Sequence, residues 1–334
     1  MVTAETPPSR RALSEGLRAF SSVVQIRDVA LALQPPSRIL PRMEEPHFDG
    51  TVPPERTARV DSFGLQLNVH EWGDPQATPI VLTHGMWDHA RSFDVFAPLL
   101  ARRHRVVAID ARGHGDSQRA AHYGWFTDVL DIVNVLRWVG RPVYLVGHSK
   151  GGGQATDAAR IAGDQVVKLV NIDGFGPPIL AEPPPAAAGL TQFLDQRRSL
   201  REHWRPYPSL EDLVERRRAQ NPRLSREWLR YFAFHGARRD SEGWRWKSDP
   251  HMAVGFGPWR PDWIAPSYAG VSMPMLAVVG SEHDTWGPLP EDLMAQRLAF
   301  VPRLQRFTIK NAGHFVHIEQ PHETAAAVLE FLGL

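Results

Sequence analysis

Short apolar runs, each of strand length and bounded by glycine, proline or polar clusters, recur along the chain. Ile80 to Thr83, Val143 to Val146, Val166 to Ile172 and Met275 to Gly280 read as strands of this kind, and Leu304 to Ile309 reads as a final strand. Upstream, Ala58 to Val60 and Leu65 to Trp72 flank the turn Ser62-Phe63-Gly64 and read as a hairpin. The period changes after Ile172. Leu190 to His203, Leu210 to Gln220 and Ser225 to Phe234 carry apolar residues at spacings of three and four, which predicts helices, and regular strands resume only near Met273. The tract from Glu182 to Gly189, rich in proline and alanine, reads as a stiff linker into that helical stretch. Before the hairpin, Leu13 to Leu33 reads as an amphipathic helix. Pro35, Pro36, Pro41, Pro46, Pro53 and Pro54 follow it as an extended strap. The expected organisation is an N-terminal extension (1–57), an α/β core in two pieces (58–176 and 273–334) and a helical insertion (177–272).

The run Val143 to Val146 ends in Gly147-His148-Ser149-Lys150-Gly151, with Gly152 and Gly153 opening a helix. A serine at the tip of a strand-turn-helix projects its hydroxyl clear of the sheet, and the flanking glycines relieve crowding in the sharp bend. Ser149 is therefore the candidate nucleophile. A serine hydroxyl needs an adjacent imidazole to take its proton, and a carboxylate to hold that imidazole in the productive tautomer. His314, after the last strand, is the candidate base. Asp284, just past the strand that ends at Gly280, is the expected acid because its motif and the chain order Ser149, Asp284, His314 agree. Asp173, after the strand Val166 to Ile172, is the competing carboxylate. The oxyanion donors are expected to be the backbone N–H of Lys150 and that of Met86, in the loop after Thr83. Trp87, Asp88, Phe175, Trp286 and Phe315 are candidate pocket residues. His84 and His148 are expected to shape their loops, and the Lys150 ammonium to make a surface ion pair.

With these pieces in place the sequence resembles the α/β-hydrolase superfamily over about residues 58–176 and 273–334. The matching motifs are His84-Gly85, Asp110 to Ser117 with Gly113 and Gly115, the elbow at Ser149, Asp284 with Pro288, and Gly313-His314-Phe315. Ser281 stands where many relatives have glycine. The resemblance implies an α/β-hydrolase fold, a mostly parallel central sheet flanked by helices, with the insertion closing over the nucleophile as a helical cap that selects substrates. The cap stretch holds Trp204, Trp228, Trp244, Trp246, Trp259 and Trp263, with Phe193, Phe232, Phe234 and Phe256, which suit an apolar pocket or the cap's own core. Arg216-Arg217-Arg218 reads as a solvated helix face.

Composition narrows the function classes. Formal net charge is +1 with 22% charged residues, which gives nucleic-acid binding no support. Cysteine is absent, so thiol and disulfide chemistry are excluded. No apolar run spans a bilayer or forms a secretory segment, and a cytoplasmic location is expected. Neither cofactor nor metal is expected, the grouping of His314, His317, Glu319 and His322 being explained without one. The expected activity is hydrolysis of a carboxylic ester, thioester or lactone with an apolar part, through an acyl-enzyme. Carbon–carbon bond hydrolysis, acyl transfer, cofactor-free haloperoxidase chemistry and a ligand receptor that uses the same pocket without turnover stay open as alternatives. The N-terminal arm offers a route to a homo-oligomer.

Overall fold

The computed structural model describes residues 43–176, 186–255, 266 and 268–333. The expected helix at 13–33, Pro35, Pro36, Pro41, residues 177–185, Phe256, Trp259 and Trp263 lie outside these residues. Strands β1 (Arg56–Ser62) and β2 (Leu65–Trp72) form the expected antiparallel hairpin. Phe63 and Gly64 both have positive φ, 54° and 81°, the handedness a two-residue turn needs to follow strand twist. β3 (Pro79–Thr83), β4 (Arg105–Ile109), β5 (Val143–His148) and β6 (Val166–Ile172) follow. The hairpin β7 (Ala237–Asp240) and β8 (Gly243–Trp246) stands apart from the main sheet, which β9 (Met275–Gly280) and β10 (Leu304–Ile309) complete.

The eight-stranded sheet has the order β1-β2-β4-β3-β5-β6-β9-β10. β2 meets β4 antiparallel, and every pairing from β4 to β10 is parallel. Alternate residues feed two cores, one on each face. Val81 joins one while Ile80 and Leu82 join the other, and Met275, Ala277 and Val279 oppose Leu276 and Val278 in the same way. The helices Trp125–Val139 and Lys150–Ala162 cover the first face; Phe96–Ala101 and Pro321–Leu332 cover the second. Each Val or Leu fully removed from water contributes about 1.5–3 kcal/mol. This explains why central strands such as β3 and β9 read as continuous apolar runs, whereas β10, at the sheet edge, leaves Gln305 to Thr308 exposed. From β3 the chain steps to β4 on one side and later to β5 on the other. Such a reversal opens a crevice at the carboxyl ends of β3 and β5.

Between β6 and β9 lie the helices Ala186–Ser199, Leu210–Gln220 and Arg226–Gly236, then the β7–β8 hairpin. The three helices match the expected stretches with shifted ends. The hairpin was not expected, because Ala237-Arg238-Arg239-Asp240 has no apolar alternation to announce a strand. Ser209 and Ser225 cap the second and third helices through the amides of Asp212 and Trp228. Leu213, Val214, Trp228, Leu229 and Phe232 build a third apolar cluster, which also takes in Val95 and Phe315 from the core. Among the described residues no helix is long and apolar enough to cross a membrane.

Candidate active site

β5 stops at His148, and the next helix begins at Lys150, which leaves Ser149 to make the whole turn with φ 54° and ψ −124°. Such a backbone survives only where its surroundings enforce it. Here they do so by close approach. A Cβ on Gly147 would lie 2.4 Å from the Gly151 carbonyl oxygen, and one on Gly151 would lie 2.5 Å from that of His84. The Ser149 amide donates to Ile172 O at 2.9 Å, fixing the turn to the end of β6. Ser149 itself is half-buried.

His314 Nε2 lies 2.9 Å from Ser149 Oγ, and its Nδ1 lies 2.6 Å from Asp173 Oδ2. The carboxylate on the imidazole is therefore Asp173, at the end of β6, and the expectation of Asp284 in that position is corrected. The physical reason is that the Asp284 oxygens are already engaged by backbone. Oδ1 accepts from the amides of Trp286 and Gly287, at 2.7 and 3.1 Å, and Oδ2 accepts from the His314 amide at 2.7 Å. Asp284 holds the chain that carries the histidine, while Asp173 holds the ring. The two loops also touch, since a Cβ on Gly287 would lie 2.6 Å from Asp173 Oδ2.

The family signature extends over most of this architecture: a sequence profile described as the alpha/beta hydrolase family matches residues 80–327. The chain belongs to the alpha/beta hydrolase family. A serine hydrolase-like protein of Dictyostelium discoideum is 24% identical over 292 residues, 80% of this chain and 79% of that one. A probable serine hydrolase of Drosophila melanogaster is 32% identical over 152 residues, which cover 43% of this chain and 46% of that protein. Among solved structures, the thioesterase domain from the curacin biosynthetic pathway is similar in fold. Its TM-score is 0.74 at 24% identity, over 82% of this chain and 99% of that one.

In this alpha/beta hydrolase the loop after β3 lies directly against the elbow. A Cβ on Gly85 would come within 3.2 Å of Ser149 Cβ and of His148 Nδ1. Met86 and Trp87 form the turn that follows, with Trp87 at φ 60°. His84 shapes the loop: its Nε2 accepts from the Ala111 amide at 3.0 Å, so Nδ1 carries the proton and donates to Gly85 O at 2.8 Å. Lys150 sits at the first turn of the elbow helix, where backbone N–H groups have no partner within the helix. Its ammonium does not reach the surface as expected. It is buried and donates to Asp128 Oδ2 at 2.9 Å.

The remaining expected pocket residues part company. Trp87 borders an open cavity, whereas Asp88 is buried with Oδ1 accepting from the His89 amide. Phe175 packs in the core beneath the sheet, and its carbonyl accepts from Arg297. Trp286 is 54% exposed, and Phe315 joins the insertion's apolar cluster, its ring 5.3 Å from that of His314. Burial therefore removes Phe175 from the pocket.

Of the residues His314, His317, Glu319 and His322, Glu319 accepts from Arg223 and from the Gly313 amide. A different set of donors converges behind the elbow: Asp88, His148 and His317 place one ligand atom each within 4.8 Å of one another, all buried. His148 donates from Nε2 to His314 O at 3.0 Å, which leaves Nδ1 as a lone-pair donor. Asp88 Oδ2, His148 Nδ1 and both His317 nitrogens have no hydrogen-bond partner. Burial, reinforced by neighbouring imidazoles, pushes His148 well below the ordinary histidine value and His317 down to about 3, and burial raises Asp88. Two neutral imidazoles and a carboxyl group suit a divalent ion or an ordered water. Among the described residues His70, Asp110 and Asp116 form a second such set, in which Asp110 is committed to the amides of Ala90 and Asp116.

Proposed function

We propose that the chain is a serine hydrolase that cleaves a carboxylic ester or thioester through an acyl-enzyme. The observation that carries this reading is the unbroken line from Ser149 Oγ to His314 Nε2, 2.9 Å, and from His314 Nδ1 to Asp173 Oδ2, 2.6 Å. The line ends on a serine whose backbone strain aims it out of the sheet.

Ser149 Oγ attacks the substrate carbonyl carbon while His314 Nε2 takes the hydroxyl proton. Asp173 keeps the Nδ1 proton on the far side of the ring and stabilises the imidazolium that forms. The carbonyl oxygen becomes an oxyanion, which the N–H groups of Lys150 and Met86 receive; the helix start at Lys150 adds its dipole. Collapse expels the alcohol or thiol, which takes its proton from His314. Water activated by the same imidazole then releases the acid and restores Ser149. The inserted segment serves as the cap and excludes bulk water from these steps.

Labelling of the full chain with a fluorophosphonate, followed by peptide mass spectrometry, tests the reading. The expected adduct is on Ser149, and it is absent in Ser149→Ala and strongly slowed in His314→Ala. A well-folded chain that gives no Ser149 adduct sinks it. An ester and thioester panel run with and without added alcohol acceptors separates hydrolysis from acyl transfer.

A further inference from the structure

The helix Leu210–Gln220 carries Arg216, Arg217 and Arg218, yet these three arginines do not share a solvated face. Leu210, Leu213, Val214 and Arg217 fall on one side, at helical spacings of three, four and seven, and Arg217 is only 8% exposed. Its guanidinium carbon sits 4.9 Å above the Phe232 ring centre, and its Nε has no hydrogen-bond partner. Among the described residues no carboxylate lies within ion-pair distance of it. Asp88 is the acid whose charge it feels, and burial lowers the arginine and raises that aspartate. A buried cation with no carboxylate in ion-pair contact is costly, and its guanidinium is left able to pair with a charge brought from outside.

What lies in front of Arg217 is a cavity of about 260 Å³, walled by Trp87, Trp204, Tyr207, Trp246 and Arg216 as well. Among the described residues no acidic residue lines it. The apolar walls are fixed in place. Trp87 and Trp204 meet edge to face at 5.8 Å, and the Trp204 indole donates to Ser248 O at 2.7 Å. Trp87 follows directly on Met86, in the loop whose Gly85 packs against Ser149, so one wall of the cavity belongs to the loop that lies against the nucleophile.

We propose that this cavity receives the anionic end of the substrate: a carboxylate or phosphate on an aromatic or aliphatic body, with Arg217 pairing the oxyanion and the tryptophans enclosing the body. The geometry suits a guanidinium fork, which binds two oxygens of one group and tolerates partial dehydration better than an ammonium. This assignment rests on the serine-hydrolase reading and narrows its substrates to acidic esters or thioesters.

The test is a calorimetric titration of the full-length Ser149→Ala chain with 2-naphthoate, 2-naphthyl phosphate and the neutral 2-naphthalenemethanol. The expected result is that one anion binds about tenfold or more tighter than the alcohol, the scale of a charge-assisted hydrogen bond. The tighter anion identifies the carboxylate or the phosphate as the native group. The advantage disappears in Ser149→Ala/Arg217→Met, and Arg217→Lys in the same background lowers it several-fold. Should the methionine variant fail to fold by circular dichroism, the lysine variant decides. Equal affinity for alcohol and anions overturns the proposal. So does an anion preference that survives loss of the guanidinium, or the absence of anion binding at millimolar concentration. Because binding is read without turnover, failure here with Ser149 labelling intact removes the anion site alone. Anion binding without labelling removes the hydrolase reading and leaves the site standing.

Discussion

The carboxyl ends of β6 and β9 are neighbours in the sheet, and each offers an aspartate to the same histidine. Asp173 meets the His314 ring, whereas Asp284 meets its backbone amide and two amides of its own loop. One carboxylate acts on a proton that must stay on one nitrogen; the other acts on the position of the residue that carries it. Identical side chains one strand apart therefore perform different work, and the difference lies in which hydrogen-bond donors reach them first.

Ser149→Ala sets the scale against which that division is measured. Turnover of the best ester should fall by about 10⁴–10⁶ in kcat, with the melting temperature unchanged. Asp173→Asn should lower kcat by about 10³–10⁴, because the amide favours the wrong imidazole tautomer while leaving the packing in place. For Asp284 the expectation reverses in kind. Asp284→Asn should keep kcat within about tenfold, while Asp284→Ala, which strands three backbone donors, should lose about 2–3 kcal/mol of stability in a denaturant titration. If Asp284→Asn impaired turnover more than Asp173→Asn, the assignment of ring to one acid and backbone to the other would be wrong.

The smallest effect concerns the support behind both acids. The His317 ring packs 4.5 Å from that of His148, which in turn holds the His314 carbonyl. With its folded value at about 3 against 6.5 unfolded, His317 stays neutral in the fold while the unfolded chain takes up a proton. Stability should therefore be complete above pH 6.5 and fall as pH drops through the window down to 3, by up to about 2 kcal/mol between pH 6.5 and 5 from this residue. His317→Phe should flatten that part of the profile in urea melts at the two pH values. An unchanged slope would show that His317 is charged in the fold or is not a contributor.

The centre of the sheet was legible because strands such as β3 and β9 are buried on both faces, and that forces continuous apolar runs such as Ile80 to Thr83. The elbow was legible because crowding admits so few residues around Ser149. The acid was not, since both aspartates follow buried strands and both give the chain order serine, aspartate, histidine. One signal was present: Asp284 stands three residues before Gly287, the spacing of an aspartate that caps its own turn, and such a carboxylate is already occupied. Arg217 carried a signal too, for its place in the period of Leu210, Leu213 and Val214 outweighs its membership of a basic run. The β7–β8 hairpin left no trace in the pattern because its first strand buries almost nothing.

The tight contacts at Gly147 and Gly151 have a consequence for how this protein tolerates change. Neither residue offers a functional group, yet at each the first carbon of any side chain would collide with a main-chain oxygen, at 2.4 and 2.5 Å. A scan of all substitutions scored for probe labelling should therefore show two sites of near-complete intolerance beside the nucleophile, where alanine fails as badly as tryptophan. Part of what makes Ser149 reactive is material kept out of its surroundings, and an inventory of side chains alone would overlook it.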